Sequence, residues 1–132
     1  MDAALRKPAR ERAAGRCEYC YLPQKFAAIV QFQIEHIRAK QHGGRDEADN
    51  LCLACQQCNC FKGPNLSGHD PQTDRHVSLF NPRTQSWSEH FRVVEGSVVG
   101  LTPEGCNTAA LLQMNSEDRI ELRMEIGDDT FR

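Results

Sequence analysis

The sequence predicts an α+β fold, and three observations predict it. Residues 34–63 read as strand, polar glycine loop, strand and helix in direct succession. Two Cys-x-x-Cys pairs, Cys17/Cys20 and Cys55/Cys58, stand with 34 residues between them and clip that stretch to the segment before it. Near the C-terminus, two β-branched runs flank Gly96 as a hairpin and are followed by two helix signatures. At 132 residues the chain is expected to form one domain, with a core at 8–63 and an extension at 64–132 packing on it.

Taken in order, residues 3–15 are rich in Ala, Arg and Glu, all good helix formers. Pro8 fits only the first turn of a helix, so the helix is expected from Pro8 to Ala14, with Gly15 as its stop. Its basic face suits phosphate or plain solvation. Phe26 to Ile37 reads as a strand, with Ile29, Val30, Phe32, Ile34 and Ile37 β-branched or aromatic. Regular alternation would put Glu35 and His36 on opposite faces, so the strand should end or twist there. Arg38 to Asn50 is a polar loop broken at Gly43-Gly44, Leu51 to Ala54 a second strand, and Gln56 to Phe61 a helix ended by Gly63-Pro64.

In the extension, residues 64–78 read as an extended loop and Leu79–Arg83 as a short apolar element ending in a turn. Phe91–Glu95 and Ser97–Leu101 form the hairpin. Thr102 caps a helix with Pro103 in its first turn, running to Met114. Ser116 caps a last helix to Ile126, Gly127 stops it, and Asp128–Arg132 is expected to fray. Trp87 and Phe91, four apart, share a face suited to core packing. His69, His76 and His90 are isolated and read as structural, and Arg83 after Asn81-Pro82 is a candidate phosphate contact.

Composition excludes several classes. Hydrophobic residues are 39% and charged residues 26%, which suits a folded soluble chain rather than a disordered one. No apolar run approaches the roughly 20 residues of a membrane span. Residues 1–8 lack the apolar core of a signal peptide, so no membrane association and a cytoplasmic location are expected. Seven cysteines cannot all pair with one another, and clustered cysteines in such a chain favour metal over disulfide. The net charge of −2 divides into +3 over residues 1–63 and −5 over residues 64–132. The basic excess thus lies with the motif, but a dedicated polyanion binder would carry more of it.

Each Cys-x-x-Cys places two thiolates on a tight turn, suited to two corners of a zinc tetrahedron. Alone, Cys17/Cys20 would also suit a redox pair. Cys52 and Cys55 share the same spacing, but Cys52 lies in the apolar run Leu51–Ala54, where a buried free thiol is expected. The preferred structural zinc ligands are therefore Cys17, Cys20, Cys55 and Cys58, with Cys60 and Cys106 free.

The residues between these pairs suit phosphodiester hydrolysis, which needs an activated water and neutralisation of charge at phosphorus. An imidazole can both take and give a proton near neutral pH, which makes His36 the natural general base. Glu35 offers a hard oxygen and Asn59 an amide oxygen, enough for Mg²⁺ or Mn²⁺, which keeps several waters. Lys62 lies one helical turn beyond Asn59 and can meet a phosphate as a point charge. Asn50 closes the loop after His36, where its amide can bond backbone and hold the imidazole.

The arrangement Gly15-Arg16-Cys17-Glu18-Tyr19-Cys20, Ile34-Glu35-His36-Ile37, Gly43-Gly44, Asn50-Leu51, Leu53-Ala54-Cys55-Gln56-Gln57-Cys58-Asn59 and Lys62-Gly63 resembles the HNH endonucleases of the ββα-metal (His-Me finger) group. The three letters fall on His36, Asn50 and Asn59. The resemblance implies a DNA endonuclease with His36 as general base, Glu35 (where Asp is commoner) and Asn59 holding the catalytic ion, Asn50 positioning, and a four-cysteine zinc clip. It covers residues 15–63. The segment 68–105 is similar to a C-terminal extension of one group of small stand-alone HNH proteins. Two readings from other classes compete. One is a zinc-stabilised nucleic-acid-binding module without catalysis. The other is a zinc-held interaction protein with an acidic tail. One such site handles one strand, so duplex cleavage would call for two copies, and a homodimer is compatible with this.

Overall fold

Helix formers at the N-terminus begin a helix earlier than Pro8 alone would suggest. The computed structural model, which describes residues 1, 3–27 and 29–132, places α1 at Ala3–Ala13 with Pro8 inside it. The missing Pro8 N–H removes one bond, to the Ala4 carbonyl near the helix start, and the rest of the helix is fixed by packing. Ala9 and Ala13 are buried, and Arg10 and Arg12 donate to the carbonyls of Phe32 (3.0 Å) and Leu51 (2.7 Å). Ala14 and Gly15, both at positive φ, end the helix.

The expected strand from Phe26 shrinks to β1, Gln33–His36. Ile29 is 99% exposed and Val30 partly exposed, so these β-branched residues have no apolar partner to hold them extended. Gln24 organises the preceding loop instead, accepting from Phe32 N–H (2.7 Å) and donating to Ala27 and Val30 carbonyls. Ala28 lies outside the described residues. β2, Leu51–Ala54, pairs antiparallel with β1 in the register Gln33↔Ala54 to His36↔Leu51, and all four of its residues are buried. α2, Gln56–Lys62, follows and ends at Gly63 (φ 50°).

Residues 64–78 depart from the expected loop: β3, Ser67–Asp70, and β4, Arg75–Ser78, form a hairpin. Its polar sequence hides the strand period. Two side chains replace that signal. Buried Asp70 binds Thr73 Oγ1 (2.6 Å) and Gln72 N–H (3.2 Å) across the turn, and Asn107 donates to the Val77 carbonyl (3.0 Å). A short helix α3, Trp87–His90, leads into the hairpin β5, Phe91–Val94, and β6, Ser97–Gly100, turning through Glu95 and Gly96.

α4, Pro103–Leu111, is capped by Thr102 Oγ1 accepting from Gly105 N–H. It stops short of Met114. Leu112 and Met114 are both buried, and two residues lie roughly 200° apart on a helix. Gln113 at positive φ brings both inward. α5, Glu117–Ile126, then buries Arg123, which donates to the Gly96 and Met114 carbonyls. The terminal residues do not fray: Phe131 is buried, and Asp128 accepts from Glu95 and Gly96 N–H.

The architecture is α+β, with three separate two-stranded antiparallel sheets among the described residues. One apolar core runs through both parts of the chain. Cys17, Tyr19, Leu22, Phe32 and Leu53 share it with Phe80, Phe91, Leu112 and Phe131. No helix among the described residues is long and apolar enough to cross a membrane.

Candidate functional site

Two tight turns bring four thiols together. The Sγ atoms of Cys17, Cys20, Cys55 and Cys58 all lie within 4.8 Å of one another, and all four residues are buried. Cys20 and Cys55 Sγ are 3.8 Å apart, which matches the edge of a tetrahedron with Zn–S bonds of about 2.3 Å. In each turn the fourth residue's N–H points at the first sulfur: Cys20 to Cys17 (3.5 Å) and Cys58 to Cys55 (3.4 Å). Burial pushes the Cys17 thiol well up, and hydrogen bonding to Cys17 and its companions does the same to Cys58. Hydrogen bonds from Cys17, Cys20 and Cys58 pull Cys55 down. This donor set, soft and shielded, suggests zinc. Cys52 stands apart on β2, its thiol raised to about 11 by burial, so the ambiguous spacing resolves onto Cys55/Cys58.

Glu18, which sequence reasoning passed over, ties the first turn to the sheet. Its N–H donates to the Leu53 carbonyl (2.8 Å), its Oε2 accepts from Leu53 N–H (2.8 Å), and its Oε1 pairs with Arg83. Arg83 is thereby turned inward, and burial lowers it to about 10. The guanidinium expected to face phosphate is instead spent on Glu18.

Cys58 is followed by Asn59 on α2, and this carries the zinc turn into a second cluster. A pocket of about 320 Å³ is lined by Glu35, His36, Asn59 and Lys62, with Tyr19 and Lys40 beside them. Glu35 and His36 reach it together because β1 ends at His36. Asn59 Nδ2 donates to Glu35 Oε1 (2.9 Å), leaving the Asn59 amide oxygen and the second Glu35 oxygen as the hard donors an ion would take.

Asn50 bonds the loop backbone. It accepts from Arg38 N–H (2.8 Å) and donates to the carbonyls of Arg38 (3.0 Å) and Arg45 (2.9 Å), while its own carbonyl takes Ile37 N–H (2.8 Å). Gly44 is obligatory there, since a Cβ would fall 1.7 Å from the Arg38 carbonyl oxygen. Lys62 departs from the role read for it. It is 5% exposed and its ammonium donates to the Ile37 carbonyl (2.8 Å), fixing the strand end to α2; burial lowers its pKa.

One contact has no counterpart in the sequence reading: His36 Nε2 lies 2.6 Å from Asp46 Oδ1. The sequence shows only that Asp46 is one of three acidic residues, with Glu47 and Asp49, that follow Gly43-Gly44, and it does not mark which of them meets His36. The tail histidines stay local, as expected: His69 meets Asp74, His76 meets Ser67 and His90 meets Thr102.

The family model described as HNH endonuclease matches residues 17–64, the segment that holds both clusters. No curated protein and no solved structure matches the chain.

Proposed function

We propose, with the HNH endonuclease segment at residues 17–64 as the premise, that this chain is a metal-dependent endonuclease hydrolysing DNA phosphodiester bonds. The observation that carries the reading is the convergence of Glu35, His36 and Asn59 on one open pocket, with Asn59 bonded to Glu35 at 2.9 Å. A binding module needs no such set.

In this reading Glu35 and Asn59 would hold Mg²⁺ or Mn²⁺, which would supply a Lewis acid to offset the charge that builds on the phosphate oxygens. His36 takes the proton of a water lined up with the phosphorus. That water's oxygen forms the new P–O bond, the P–O bond to the leaving oxygen breaks with its electron pair, and solvent protonates the leaving oxygen. Asn50 and Lys62 act at a distance, through the backbone of Ile37 and Arg38 just after His36. Cys17, Cys20, Cys55 and Cys58 hold zinc, which supplies folding energy and sets where Asn59 sits.

The test is relaxation of supercoiled plasmid with Mg²⁺ or Mn²⁺. Nicking that disappears in His36→Ala, with zinc content and circular dichroism unchanged, supports the reading; equal nicking by both proteins refutes the assigned base. The inward turn of Lys62 and Arg83 strips cations from the surface and favours a weak binder over a tight one. A non-catalytic module would instead bind DNA without nicking it.

A further inference from the structure

We infer that Asp46 is a positioning residue for His36: its carboxylate accepts the Nε2–H and so leaves Nδ1 as the imidazole's single basic nitrogen. The kinetic part of this inference rests on the nuclease reading; the tautomer assignment does not.

The loop leaves Asp46 little freedom. Arg45, the residue before it, has its carbonyl held by Asn50 Nδ2 at 2.9 Å. Gly44 N–H closes on the Ala39 carbonyl at 3.0 Å, and Arg38 Nε donates to the His42 carbonyl at 2.5 Å. These bonds fold residues 38–50 back over the end of β1, and Asp46 is delivered to His36 at 2.6 Å. His36 is 19% exposed and Asp46 34% exposed at the side chain, so the pair sits at the pocket rim, partly shielded. The His36 contact is also the first cause holding the Asp46 carboxyl below its usual range. Lys40, 3.6 Å from the same Asp46 oxygen, is the other charge on the pair.

A carboxylate can accept but not donate, so the short contact requires the hydrogen on Nε2. The second ring nitrogen then has a free lone pair for the proton of water. When His36 becomes imidazolium, the Nε2–H stays on Asp46, whose negative charge faces the new positive one. An amide at 46 could accept through its oxygen or donate through its NH2, so it would neither fix the tautomer nor counter that charge.

Long-range ¹H–¹⁵N correlation spectra of the zinc-loaded full chain give the His36 tautomer directly. Wild type is expected to show the Nε2–H form, and Asp46→Ala and Asp46→Asn mixtures of the two tautomers. In plasmid nicking, Asp46→Ala should lose about 10–100-fold in kcat with KM held within about twofold. Asp46→Asn should lose about as much as Asp46→Ala, and Asp46→Glu, which keeps the carboxylate, should recover part of the loss. A wild-type Nδ1–H tautomer, or identical tautomers in wild type and Asp46→Ala, would overturn the inference. Should Asp46→Ala fail to hold zinc, Asp46→Ser gives the same comparison. Expected tautomers in a protein that nicks nothing would refute the nuclease reading and leave the Asp46 assignment standing.

Discussion

The four-cysteine cluster and the Glu35–His36–Asn59 pocket are built from the same helix, one residue apart, yet they are opposite in construction. Around the cysteines every element is closed: the sulfurs are buried, backbone N–H groups are aimed at two of them, and Glu18 seals the turn onto β2. Around Glu35 the polar groups face an opening, and their few bonds join side chain to side chain. A donor set saturated by protein can only hold structure, whereas one left half-used can exchange water for substrate. Under the proposed function, stability and chemistry would be divided between two neighbouring sites and should respond to mutation separately.

The division is most severely tested at the cysteines. Cys17→Ser or Cys58→Ser is expected to lose zinc and cooperative folding together, because metal binding energy is folding energy here. A folded, zinc-free Cys58→Ser protein, seen by a sharp thermal transition and metal analysis, would break the comparison. At the open site the expected effect is large in rate and small in stability. Glu35→Gln or His36→Ala should cost about 10²–10⁴-fold in nicking. Their melting temperatures should stay within about 5 °C of wild type, which corresponds to about 1 kcal/mol in a chain of this size.

Next in size is the seal on the closed site. Glu18 and Arg83 are 12% and 10% exposed at the side chain, so Arg83→Ala strands a shielded carboxylate and should lower stability by about 3 kcal/mol in urea unfolding. The smallest effect concerns Lys62. Lys62→Met should cost about 1–2 kcal/mol by leaving the Ile37 carbonyl unpaired. It should leave the salt dependence of DNA binding unchanged. If Lys62 met a phosphate instead, the log–log salt slope would fall by about one.

The segment 51–63 was legible because local signals agreed there: a short apolar run, a metal-ligand spacing and a Gly-Pro stop each mark the same boundaries. The four-cysteine cluster could be named from two spacings, once the apolar run around Cys52 set that cysteine aside. Legibility failed where long-range partners decide. Ile29 and Val30 have strand propensity but nothing to pack on, and Ser67–Ser78 has partners in Asn107 and Asp70 but no period to advertise them. Asp46, Glu18 and the inward turn of Lys62 belong to the same class. Each is a polar residue whose role is set by a group that the fold, not the chain, places beside it.

The chain's one tryptophan is placed where it can report on its metal. Trp87 stacks on Tyr21 at 4.7 Å between ring centroids, one residue past Cys20, and its indole N–H donates to the Tyr19 carbonyl at 2.7 Å, inside the first Cys-x-x-Cys turn. The extension therefore carries a fluorophore pressed against the first Cys-x-x-Cys turn of the core. Its emission should shift to the red when a chelator opens that turn, giving an optical titration of metal occupancy in the unlabelled protein.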